Sequence, residues 1–142
     1  MNKKEPVSHI MTKSVHAVQA KESLLSVKDL INKHKIRHVP VLDGKNLIGI
    51  ISQNDINRLA FSNYFEAEED VNEAVFEMLT IPQVMTHHPR VVAENDTIKH
   101  IAEIFSKEEF HALPVVDAQD ASKLVGIVTT TDVIKYMLEQ YS

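Results

Sequence analysis

An internal duplication constrains this chain more than any other feature, because a fold built from one unit made twice has few solutions. Gly49-Ile50-Ile51-Ser52-Gln53-Asn54-Asp55 returns as Gly126-Ile127-Val128-Thr129-Thr130-Thr131-Asp132. Met11-Thr12 returns as Met85-Thr86, 74 positions later, and Val39-Pro40-Val41 returns as Leu113-Pro114-Val115 at the same spacing. The glycine segments stand 77 apart, so the second copy carries three extra residues, which fall in the polar stretch Asp117 to Lys123. Insertions are tolerated in loops, which places a loop there.

Hydrophobic periodicity gives both copies the same order, β-α-β-β-α. Short strands are expected over Val15 to Val18 and Arg90 to Val92. Helices open at Ser23 and Thr97, residue types that cap helix N-termini. Leu24, Val27, Leu30 and Ile31 make one apolar face, and Ile98, Ile101, Ile104 and Phe105 its counterpart. Strands follow over His38 to Leu42 and Leu47 to Ile51, joined through the hairpin signal Asp43-Gly44, and over Ala112 to Val116 and Leu124 to Val128. A last helix begins at Gln53 or Thr130. The fold class is α/β (α+β), with residues 1–62 and 81–142 as repeats and 63–80 as a linker. In the linker Val71, Ala74, Val75, Met78 and Leu79 predict a helix packed on the body, after an acidic run at Glu66 to Asp70. A partner-binding helix is the alternative.

The repeated segment reads as a strand that runs straight into a helix. Gly permits close backbone approach. Ser52 or Thr129 sits at the N-cap, with Asp55 or Asp132 three residues on. That is the pattern of a capping box, which needs no ligand. It also presents free N–H groups and the positive end of a helix dipole, which suit a phosphate, beside a carboxylate that accepts hydroxyl hydrogen bonds. Phosphate and vicinal diol together describe a nucleotide. Both readings stand at this point.

Composition narrows the function classes. There is no cysteine, so disulfides and thiolate chemistry are absent. No apolar run approaches the length of a membrane span, and the opening Met1 to Pro6 leads into no signal-type apolar core, so a cytoplasmic protein without membrane partners is expected. A net charge of −5 argues against nucleic acid as a bulk partner. Gly-x-Ser-x-Gly, P-loop and His-Glu-x-x-His motifs are all missing, so no enzyme and no required cofactor are expected. Eight histidines invite a metal reading, but His34, His38 and the pair His87-His88 lack completing ligands at a site spacing.

With these motifs in hand the chain resembles a tandem cystathionine-beta-synthase (CBS) domain pair, or Bateman module, of the stand-alone bacterial type. The resemblance rests on Met11-Thr12, Arg37-His38-Val39-Pro40-Val41 and Gly49 to Asp55, and on Met85-Thr86, His111-Ala112-Leu113-Pro114-Val115 and Gly126 to Asp132. It implies two β-α-β-β-α repeats related by a pseudo-twofold axis, helices packed on small mixed sheets, and two clefts that bind adenosine compounds. It implies that Asp132 and Asp55 each hold a ribose diol, while Thr129, Thr131 and His111 in one cleft, and Ser52, Asn54, Arg37 and His38 in the other, meet ribose or phosphate. Ile10 and Ile36 would line the base pocket with Asp132, and Val84 and Phe110 the pocket with Asp55. AMP, ADP or ATP is the expected regulatory ligand, with S-adenosylmethionine or NAD as alternatives. The expected role is a non-catalytic sensor that forms a homodimer, with Ile134, Met137 and Leu138 as candidate contacts, and signals to an effector protein. The competing role is a structural dimerisation module with vestigial clefts.

Overall fold

The computed structural model describes residues 3–61, 74 and 76–141. It divides into two compact units, residues 16–89 and residues 1–15 with 90–142. In the first unit β1 (Val18–Gln19), α1 (Leu24–His34), β2 (His38–Asp43), β3 (Asn46–Ser52), α2 (Gln53–Phe61), α3 (Ile81–Val84) and β4 (Thr86–His87) follow in order. Their sheet runs β1-β2-β3-β4, with β1 parallel to β2 and the other pairs antiparallel. In the second unit a 3-10 turn (Val7–His9) precedes β5 (Val92–Ala93), α4 (Ile98–Lys107), β6 (Ala112–Val116), β7 (Leu124–Thr129) and α5 (Thr130–Glu139). Its sheet runs β5-β6-β7, again parallel and then antiparallel. Mixed small sheets carrying helices are what the α/β reading of each repeat calls for.

Local chemistry explains the elements. The Ser23 and Thr97 hydroxyls accept N–H bonds from Ser26 and His100, at 3.2 and 3.1 Å, and so satisfy orphan donors of α1 and α4. Leu24, Val27 and Ile31 are buried, as are Ile98, Ile101 and Ile104. Lys35 ends α1 in the left-handed conformation. Gly44 takes φ 63° in the two-residue turn between β2 and β3, where glycine carries no steric penalty. β2 and β6 both shift register at equivalent points, between Val41 and Leu42 and between Val115 and Val116. Pro40 and Pro114 lie before the residues at which β1 and β5 pair.

Each unit has its own core. Val18, Leu24, Val27, Val39, Val41, Ile51, Phe76, Ile81 and Met85 form one. Val7, Val92, Ile101, Ile104, Leu113, Val115, Val128 and Val133 form the other.

The structure departs from the expected outline in three places. β1 and β5 begin later and are two residues long, because pairing starts only at Val18 and Val92. The Met-Thr segments add to the sheet edges: Thr86 begins β4, and Thr12 makes an isolated bridge. Thr86 and His87 pair with Ile50 and Gly49 on β3, and Thr12 bridges Ile127 on β7 through N–H bonds in both directions, at 2.9 and 3.0 Å. The boundaries of the compact units therefore differ from those of the repeats at 1–62 and 81–142, because residues 1–15 pack with the second repeat. Third, Met78, expected on a packed face, is 79% exposed, while Phe76 is buried with the Lys28 ammonium 5.3 Å from its ring centroid. Val71, Val75 and the acidic run lie outside the described residues. On α5, Val133 and Tyr136 are buried, while Ile134, Met137 and Leu138, the candidate contacts, are substantially exposed within their unit. The Tyr136 hydroxyl donates to Glu5 Oε1 at 3.0 Å and so ties the leading segment to α5.

A close approach explains the glycine of each repeat. A Cβ at Gly126 would lie 2.5 Å from Met11 Sδ and 3.0 Å from the Thr12 carbonyl oxygen; at Gly49 the distances to Met85 Sδ and the Thr86 oxygen would be 2.3 and 3.0 Å. Overpacking of this kind costs about 1–3 kcal/mol. Gly126→Ala is expected to lower the unfolding free energy in urea by that amount. Met11→Ala, which removes the sulfur, should lessen the effect of adding the methyl group; equal costs in both backgrounds would contradict the packing argument.

Candidate functional site: two capped helix openings

α5 opens from the end of β7, and Thr129, Thr131 and Asp132 lie at that opening. Thr129 Oγ1 accepts the Asp132 N–H at 3.2 Å, and Asp132 Oδ2 accepts the Thr129 N–H at 2.9 Å, a closed capping box. The Thr130 N–H donates to the His111 carbonyl oxygen at 3.0 Å, which brings the start of β6 against the first turn. Among the described residues, the Thr131 N–H and Asp132 Oδ1 have no protein partner. The opening thus presents one donor at the positive end of the helix and one carboxylate oxygen. Thr131 and His111 are exposed, Asp132 is half-buried. Ile10 packs against the core cluster that contains Val133 and Val128, so this first-repeat residue shares a unit with Asp132.

α2 repeats the arrangement. Ser52 Oγ accepts the Asp55 N–H at 3.1 Å, and Asp55 Oδ2 accepts the Ser52 N–H at 2.8 Å. The Gln53 N–H donates to the Arg37 carbonyl oxygen at 2.7 Å. Arg37 and Asn54 are exposed, His38 half-buried. Val84 packs on the core that contains Ile56, in the unit of Asp55. Ile36 belongs to this same unit, whereas Phe110, 38% exposed, belongs to the unit of Asp132.

Two features were not anticipated. The carbonyl oxygens of Arg37 and His111 join the helix openings; the signal was their equivalent place in the two repeats, 74 positions apart and just before β2 and β6. Arg58 also pairs with Asp55 Oδ1. The i,i+3 spacing that places both on one helix face was visible in the sequence. The equivalent position in the second repeat is Lys135, which among the described residues makes no ion pair with Asp132.

The remaining polar clusters are elsewhere. Among the described residues no group of three or more His, Asp or Glu side chains is placed to hold a metal ion. His34 instead stacks on His16, with centroids 3.7 Å apart and planes 14° from parallel. His87 Nε2 bonds the Pro82 carbonyl oxygen at 2.8 Å. Asp96 Oδ2 accepts the Ala93 N–H at 2.9 Å, a local turn contact. No described helix is long and apolar enough to cross a membrane.

Comparison with known proteins places this geometry in context. The family model for the CBS domain matches residues 7–62 and 81–139. The solved structure of CBSX2 from Arabidopsis thaliana in complex with AMP is 25% identical, with a TM-score of 0.79, and the match covers 97% of this chain and 99% of that one. The CBS domain pair of protein MJ0100, in complex with 5′-methylthioadenosine and S-adenosyl-L-methionine, is 27% identical, with a TM-score of 0.77 and coverage of 95% and 97%. MJ1225 of Methanocaldococcus jannaschii is 28% identical over 96% of this chain, which spans 48% of that relative. Two further curated relatives are spanned over only about a fifth of their length.

The stacked histidines generate a pH effect. Desolvation first, then the charges of His16 and Lys33, hold the His34 pKa below its ordinary 6.5. A histidine with a depressed folded pKa is protonated more readily in the unfolded chain, so its contribution falls as pH drops through about 6.5. The His34 ring resonance in an NMR titration is expected to turn over below 6.5, and to move upward in His16→Ala. A midpoint at or above 6.5 in the parent chain would refute this.

Proposed function

Because the chain belongs to the CBS-domain family, we propose that it is a non-catalytic regulatory module that binds adenosine compounds at the openings of α2 and α5. One observation carries the reading: both openings hold the same closed hydroxyl–carboxylate box, and Asp132 keeps one oxygen beyond it. A carboxylate offers about four lone-pair sites, so it can cap the helix and hold a diol at once. The bound AMP of CBSX2, and the 5′-methylthioadenosine and S-adenosyl-L-methionine of the MJ0100 pair, share an adenosine moiety with its ribose diol. AMP, ADP or ATP is the proposed ligand class, and S-adenosylmethionine or methylthioadenosine is the second reading that the MJ0100 complex favours.

In this reading Asp55 and Asp132 hold ribose hydroxyls. Ser52, Asn54, Thr129 and Thr131, with Arg37, His38 and His111, face ribose or phosphate. Ile10, Ile36, Val84 and Phe110 contact bases. Residues 1–62 and 81–142 act as the two repeats, joined by 63–80. Ligand acts on a partner only through different affinities for two shapes of the module. A second copy of the chain and an effector protein are the proposed recipients of that change.

Loss of one hydroxyl partner of a half-buried carboxylate costs about 1.5–3 kcal/mol, roughly ten- to a hundredfold in dissociation constant. Calorimetry is therefore expected to show 2′-deoxy-AMP binding at least tenfold more weakly than AMP, with Asp132→Ala equally damaging to AMP. Equal affinities for the two nucleotides would remove the carboxylates from the role assigned to them.

A further inference from the structure

The two openings are not chemically equal. Asp132 Oδ2 is held by the Thr129 N–H, and Oδ1 has no donor among the described residues. Asp55 Oδ2 is held by the Ser52 N–H, and Oδ1 is held by the Arg58 guanidinium. The Asp55 side chain is only 13% exposed, while that of Arg58 is 74% exposed. The pair therefore has an anchored carboxylate and a guanidinium head on a solvated stem, free to swing without disturbing the core.

We propose that Arg58 tunes ligand preference at Asp55, so that this site favours a phosphorylated nucleoside over adenosine while the Asp132 site accepts adenosine with or without phosphate. The inference rests on the reading that each aspartate holds a ribose diol.

The argument is one of exchange. A ribose diol and the Arg58 guanidinium compete for the lone pairs of Asp55 Oδ1, so the diol is held best when Arg58 has left it. An uncharged nucleoside offers the departing guanidinium nothing in return. A phosphate carried by the same ligand offers planar, bidentate recognition of the kind guanidinium groups favour. The cation that competes with nucleosides thus becomes a contact for nucleotides. At the other opening Lys135 makes no pair with Asp132, so a diol meets no competitor there. Lysine also lacks the fork that lets arginine trade a carboxylate for a phosphate.

Arg58 would act both on Asp55 and on the ligand's phosphate, so the decisive readout is a ratio of affinities. Adenosine and AMP are titrated calorimetrically into the parent chain, into Asp132→Ala, which leaves the Asp55 site, and into Asp55→Ala, which leaves the Asp132 site. Each is repeated with Arg58→Met and Arg58→Lys, and melting curves establish that the variants fold. Exposed or partly exposed ion pairs are weak, so the expected change is about fivefold. In Asp132→Ala, Arg58→Met should tighten adenosine about fivefold and weaken AMP, and Arg58→Lys should recover part of the AMP affinity. In Asp55→Ala the ratio should not respond to position 58. An AMP-to-adenosine ratio in Asp132→Ala that Arg58→Met leaves unchanged overturns the role of Arg58 while the ribose reading stands. Absence of heat from both compounds in the folded parent chain overturns the ribose reading, and this inference with it.

Discussion

A methionine sulfur lies where a side chain at residue 126 would have to be, and another does the same at residue 49. Much of the architecture depends on this contact. The Met-Thr segment can hydrogen-bond to the strand that precedes the helix only if that strand carries no side chain at the crossing point. With glycine there, Thr12 exchanges N–H bonds with Ile127, and Thr86 pairs with Ile50. The contact brings Ile10 into the unit of Asp132 and keeps Val84 in that of Asp55. A packing constraint of a few ångströms thereby decides which apolar side chains accompany which carboxylate.

The helix openings show how one motif serves stability and recognition together. The first-turn N–H groups need acceptors, and the N-cap hydroxyl, the carboxylate three residues on and the carbonyl oxygen of Arg37 or His111 share that work with little redundancy. Such caps contribute about 0.5–2 kcal/mol each. What remains over differs between the copies. At α5 it is a neutral donor, the Thr131 N–H, and a carboxylate oxygen; at α2 the equivalent oxygen faces a guanidinium. Duplication supplied two matched frames, and differences within them, Arg58 paired with Asp55 against an unpaired Lys135 among the described residues, and Arg37 against His111, gave them different electrostatics.

The fold was legible to the extent that neighbours along the chain determine it. Leu24, Val27 and Ile31 marked a buried helical face, Asp43-Gly44 a tight turn, and Ser52 and Thr129 a helix start, because each signal is read within a few residues. β1, β4 and β5 were mis-drawn or missed, since two-residue strands exist only through the partner that pairs with them. Met78 and Phe76 show the same limit: both are apolar at helical spacing, and only the packed neighbours decide which is buried. The Arg58–Asp55 pair had a visible spacing, but its counterpart Lys135 has the same one, so spacing could not tell a formed contact from an unformed one.

The amino-acid order by itself therefore determined the duplication, the element order and the chemistry of the two capped openings, because these arise from short-range periodicity and from hydrogen bonds three residues apart. The tertiary structure alone decided that residues 1–15 pack with the second repeat, that Met-Thr forms a sheet edge, and that one carboxylate is engaged by a cation while its twin is not. Those outcomes depend on contacts between segments many residues apart, where shape, not spacing, selects the partner.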